Sequence, residues 1–157
     1  MVDYNTILDK KKPKELLCGF DVQSEWPWLY PFQKYCVRIA LKHGRFALFE
    51  GCGLGKTRQQ ITWADEVVKH TGKPVIILAP LPVVDQTIQE GIDMCINIGL
   101  EIGIECLQYH TEMYTLHELP AAIYITNYDQ LDNVPTVKLF GVVLDERRNF
   151  KTLPVLI

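Results

Sequence analysis

One stretch of seven residues, Gly51-Cys-Gly-Leu-Gly-Lys-Thr57, constrains this chain more than any other. Three of the six residues from Glu50 to Gly55 are glycine. Ahead of them runs a short apolar segment, Arg45-Phe-Ala-Leu-Phe49, of the kind a buried strand needs. Behind them, from about Thr57 to His70, Ile61, Ala64, Val67 and Val68 recur at helical spacing, until Gly72 and Pro74 stop the pattern. A strand, a glycine loop and a helix in that order can turn successive backbone N–H groups inward around an anion, with the helix N-terminus adding its dipole. The backbone of Gly51, Cys52, Gly53, Leu54 and Gly55 is thus the expected cradle for phosphates. Lys56 would reach the β- and γ-phosphates, and Thr57 would offer its hydroxyl to the magnesium they carry. The general spacing G-x-x-x-x-G-K-[ST] places glycine where this chain has Glu50.

The rest of the chain alternates in the same way. Before the loop, Phe32, Tyr35, Cys36, Ile39 and Ala40 recur at helical spacing and Gly44 stands where a C-cap belongs. After it, Val75-Ile-Ile-Leu-Ala79 is apolar without alternation, as in a parallel strand covered on both faces. A helix opened by Pro82 and lined by Val84, Ile88 and Ile92 follows, then weaker strand candidates at 104–107 and 122–126. Gly141-Val-Val-Leu-Asp145 reads as a last buried strand ending in acid. Strands alternating with helices predict an α/β fold in three layers, with a mostly parallel sheet whose C-terminal edge carries the ligand site. Residues 1–25 read as a polar lead segment, and 26–157 as the folded domain.

Bulk composition narrows the function without choosing it. A chain of 157 residues, 48% hydrophobic and 22% charged, suits one globular domain. A formal charge of −3 supplies no global basic field, so nucleic-acid contacts would have to be local. The N-terminus has no apolar run, and the most apolar stretch, 74–84, is short and holds three prolines, so neither a secretory signal nor a membrane span is expected. The five cysteines are scattered with no CxxC, which reads as reduced thiols of a cytoplasmic protein. Cys52 lies inside the loop, either as a small tolerated residue or as a thiol favoured by the helix N-terminus.

Phosphate chemistry also needs a second anchor for the metal and a group to orient water. Val142-Val-Leu-Asp-Glu146 is placed to supply both, Asp145 holding magnesium through water and Glu146 polarising the attacking water.

Taken together, these residues resemble the superfamily-two DEAD/DEAH-box helicases and remodeller-like DNA translocases of prokaryotic or phage type. The likeness covers roughly residues 26–151. Pro31-Phe-Gln33 looks like their adenine-reading glutamine motif, and Glu50–Thr57 like their acidic-start phosphate loop. The segment 79–86 is similar to motif Ia and 125–129 to motif Ib, which in relatives touch the nucleic-acid backbone, here through Pro80, Thr126 and Asn127. Val143-Leu-Asp-Glu146 looks like motif II, and Lys151 matches a lysine these relatives often place soon after it. Arg147 and Arg148 depart from the small residues usual at that point. The resemblance implies a P-loop (RecA-like) first motor domain using ATP and Mg2+. Its expected partners are nucleic acid, DNA in preference to RNA, and a second RecA-like domain with an arginine finger, which these 157 residues do not contain. The isolated chain is then expected to bind nucleotide weakly and turn it over negligibly. The alternatives are a nucleotide-dependent binding module without turnover, or another P-loop NTPase.

Overall fold

Burial decides which face of each helix the sequence presents inward. The computed structural model describes residues 17–99, 104–106, 120–133 and 139–145, with 104–106 and 132–133 described by backbone alone. Its elements are α1 (Pro31–His43), α2 (Lys56–Thr71), β1 (Val75–Ala79), α3 (Leu81–Ile98), β2 (Ile104–Cys106), β3 (Ile123–Asn127), a 3-10 turn (Tyr128–Asn133) and β4 (Gly141–Leu144). In α2 the expected stripe of Ile61, Ala64, Val67 and Val68 is buried throughout. In α1 the stripe is rotated from the expected one: Gln33, Val37, Ala40 and Leu41 are buried, while Phe32 and Tyr35 are exposed. In α3, Val84, Thr87, Gly91 and Met94 face inward and Ile92 is exposed. Both shifts have one cause. Large apolar residues on two neighbouring stripes leave sequence periodicity ambiguous, and packing selects one of them, against α2 for α1 and against the sheet for α3.

The strands form one parallel sheet in the order β2-β3-β1-β4. Val75 stands opposite Ile123 and Gly141, and Ile77 opposite Ile125 and Val143, so these side chains share a face. They join residues of all three helices in the main core. Ile76, Leu78 and Tyr124 point the other way, into a smaller cluster with Val142 and Leu144. The α/β class and the parallel sheet are as expected. Among the described residues, however, the three helices cluster with one face only, giving two layers of the three expected. A Cβ at Gly141 would lie 3.0 Å from the Trp63 ring, a close approach that the ring would have to yield to by a few tenths of an ångström.

One expected strand is absent. Residues 45–49 make no strand; Phe46 and Leu48 turn partly inward, and Phe49 is 92% exposed. A ladder needs a neighbouring backbone about 4.8 Å away, and among the described residues β4 lies at the sheet edge and pairs with β1 alone. Side-chain packing, with Phe46 against the main core, holds this run to the body.

Part of the expected lead segment belongs to the body. Cys18, Gly19 and Phe20 donate backbone hydrogen bonds to His43, Lys42 and Leu41 at the end of α1, and the Phe20 ring stacks on His70 at 3.8 Å. Among the described residues no helix is long and apolar enough to cross a membrane.

Candidate functional site

The segment before α1 fixes where the site begins. The Trp26 indole N–H donates to the buried Glu66 carboxylate at 2.9 Å, and that of Trp28 donates to the Thr62 hydroxyl at 3.1 Å. Both partners lie on α2, so the two tryptophans hold the start of α1 against the helix that follows the glycine loop. Pro31 opens α1 at a position where a missing N–H costs nothing. Gln33, 3% exposed, then bridges two backbones. Its Oε1 accepts from Tyr30 N–H at 2.9 Å, and its Nε2 donates to the Leu54 carbonyl at 2.7 Å.

That second bond holds the loop. Gly55 has φ 71°, in the left-handed region that favours glycine, and a Cβ there would meet Gln33 Nε2 at 2.6 Å. α2 starts at the next residue with no side chain capping it, so the N–H groups of its first turn have no partner within the helix. Gly51, Cys52, Gly53 and Leu54 are exposed, and Lys56 and Thr57 half-buried. Lys56 Nζ approaches the Glu50 carbonyl at 3.5 Å. Glu50, where the general spacing expects glycine, accepts at Oε2 a hydrogen bond from Gln59 Nε2 at 2.8 Å. Beside it the Cys36 thiol has its pKa raised from 9.0, first by burial and then by the hydrogen bond and charge of Glu50.

Asp145 reaches the same helix from the sheet. It is 7% exposed, and its Oδ1 accepts from Gln60 Nε2 at 2.7 Å. Its N–H donates to the Leu78 carbonyl at 2.9 Å, and its carbonyl accepts from Tyr128 Oη at 2.6 Å. Gln60 is three residues beyond Thr57, about one helical turn. The glycine loop, the first turn of α2 and Asp145 therefore share the C-terminal edge of the sheet, where open α/β folds bind ligands. Glu146 and Lys151 lie outside the described residues, as do Arg147 and Arg148.

The chemistry this permits can be tested on the residues themselves. Uncapped N–H groups at a helix start, glycines with open space at Gly53 and a lysine in the same turn suit an anion. Among the described residues no three His, Cys, Asp or Glu gather as a metal site. A magnesium ion would accordingly be carried mainly by ligand oxygens, with Thr57 and Asp145 as the protein's contribution.

Of the residues expected to meet nucleic acid, Pro80 is half-buried at the start of α3. Thr126 is fully buried, and Asn127 is 4% exposed with its Oδ1 accepting from Gln130 N–H at 3.0 Å. All three follow or end strands at the edge that carries Asp145.

Sequence reasoning missed several residues here. A cavity of about 320 Å³ beside the loop is lined by Trp28, Tyr30, Phe32, Gln33, Leu54 and Arg58. The Tyr30 and Phe32 rings lie parallel at 6.5 Å, both exposed. The aromatic density of 26–32 was the available signal. Nothing in the sequence singles out Gln60 or Tyr128.

Fold and site together define an α/β protein with a parallel sheet and a glycine loop opening a helix at its C-terminal edge. Comparison with protein-family models, with curated proteins and with solved structures returns no match.

Proposed function

We propose that the chain binds the phosphates of a nucleoside triphosphate, and that it is the ATP-binding part of a P-loop NTPase of the helicase or translocase type. The observation that carries this reading is the convergence on α2: Gly51–Gly55 and Lys56 at its start, and Asp145 tied to Gln60 one turn after Thr57. In this reading the loop N–H groups and Lys56 hold the phosphates, and Thr57 and Asp145 hold Mg2+. The cavity lined by Trp28, Tyr30 and Phe32 is of a size and apolarity suited to a nucleobase, next to Gln33. Bound magnesium would screen the phosphate charge; the chain's residues bind and orient. The RecA-like fold, the partnership with nucleic acid near Pro80, the preference for DNA and the second motor domain belong to the same proposal and rest on the motif resemblance; Thr126 and Asn127, buried in β3, would support that edge without touching nucleic acid.

Calorimetry with MgATP tests it. Wild-type chain should bind, and Lys56→Ala should lose about 2–3 kcal/mol of affinity, as expected for a hydrogen bond to a charged group, with unchanged circular dichroism. Equal affinity in both proteins would overturn the assignment.

A further inference from the structure

The cavity beside the glycine loop has a single charged side chain in its lining, Arg58. Tyr30 and Phe32 enter the cavity from the start of α1, and Arg58 enters it from the first turn of α2, one residue after Thr57. The guanidinium is held from outside the cavity. Its Nε donates to Glu90 Oε1 on α3 at 2.8 Å. Among the described residues, Nη1 and Nη2 have no hydrogen-bond partner. The Arg58 side chain is 50% exposed and that of Glu90 27%. An ion pair this exposed adds little to stability; its effect is to fix the direction of a planar cation.

The other polar side chain in the lining is already engaged. Gln33 has its amide oxygen on Tyr30 N–H and its nitrogen on the Leu54 carbonyl, so it reads a base only by giving up a bond to its own chain. The aromatic rings can stack a base, but stacking is tolerant because every base has a π face. A guanidinium is planar, stays charged and stacks on π faces, where the ring quadrupole attracts it. Aromatic rings from one element and a planar cation from another suit a flat, π-rich group.

We infer that Arg58 contacts the face of the nucleobase and gives the site a preference for purines, with Glu90 as the positioning residue that aims it. The two fused rings of a purine offer the cation more π surface than the single ring of a pyrimidine. Lys56, two residues earlier, serves the phosphates, so one helical turn meets both ends of the nucleotide. The inference rests on the nucleotide reading of the same site and adds the contact at the end away from the phosphates.

Calorimetry of the full chain with MgATP, MgUTP and magnesium tripolyphosphate tests it. Wild-type chain should favour ATP over UTP. Arg58→Ala should weaken ATP about tenfold, the effect of losing one cation–π contact, with a smaller loss for UTP and little for tripolyphosphate. Arg58→Lys keeps the charge without the plane and should recover only part of the loss. Glu90→Ala should weaken ATP several-fold, and Glu90→Gln, whose amide oxygen still accepts from Nε, should restore most of it. Neither Glu90 variant should matter in the Arg58→Ala background. Melting temperatures should stay near that of the wild type, since the pair is exposed. Equal losses for ATP and UTP would put the guanidinium on the ribose, and an equal loss for tripolyphosphate would put it on the phosphates. No loss at all would leave the pair a surface contact. Each of these outcomes, or a wild-type chain indifferent to the base, overturns the inference while the nucleotide reading stands. A wild-type chain that binds none of the three ligands overturns both.

Discussion

The amide of Gln33 is engaged at both ends, its oxygen on Tyr30 N–H and its nitrogen on the Leu54 carbonyl. A nucleobase edge reading this amide has to replace the bond to Leu54, so base recognition and loop position share one side chain. Gln33→Ala should then act twice. Two backbone groups lose a hydrogen bond, which costs about 0.5–1.5 kcal/mol of stability each in a urea titration. Hydrogen exchange at 52–55 should also rise, and any preference for ATP over GTP should narrow. Wild-type chain binding both nucleotides equally would leave Gln33 a purely structural residue. Asp145 separates charge from shape more cleanly. In Asp145→Asn the remaining carbonyl oxygen still accepts from Gln60, so the fold should hold. The negative charge beside Gln60, one turn after Thr57, is gone, and the Mg2+ dependence of ATP affinity should fall with it. A magnesium titration at fixed ATP measures this; an unchanged dependence would remove Asp145 from the metal's surroundings.

The elements that hold the site are joined by a few polar contacts within apolar packing. Trp26 joins the segment before α1 to α2 through the Glu66 carboxylate, which is 8% exposed. Trp26→Phe keeps most of the ring volume but leaves that carboxylate short of a donor. The loss should be about 1–3 kcal/mol, seen as a lower melting temperature with Trp28→Phe as the milder companion. This contact also shows what was legible beforehand. α2, β1 and β4 could be read because burial on a fixed face repeats along each: an apolar stripe in α2, a continuous run in β1, a terminal acid in β4. The positions of Lys56 and Asp145 followed from those elements. The face of α1 could not be read, since Phe32 and Tyr35 compete with Val37 and Leu41 and only packing against α2 decides. The 45–49 run was misread as a strand because apolarity reports burial while a strand also requires a neighbour. Gln60 and Tyr128, which seat Asp145, act across long sequence separations that no local pattern records.

At the scale of the whole molecule, the thiols link folding to pH. Cys18 and Cys52 are exposed, whereas Cys36 and Cys95 are partly buried. The pKa of Cys36 is raised from 9.0 by burial first and Glu50 second, and that of Cys95 by burial first and Asp65 second. A thiol with a raised pKa in the fold holds its proton where the unfolded chain has lost it. The unfolded state therefore binds fewer protons above pH 9.0, and stability falls as pH rises from there. Below that value neither thiol contributes any slope. Urea midpoints should accordingly lose ground between neutral pH and pH 10, and Cys36→Ser with Cys95→Ser should flatten the decline. Alkylation by iodoacetamide at pH 8 should modify Cys18 and Cys52 first, because the thiolate is the nucleophile and these two are accessible. Cys36 should follow only under conditions that open the contact between α1 and α2. Simultaneous modification of all four in the native protein would mean that Glu50 and the surrounding packing do not shield the Cys36 thiol as described.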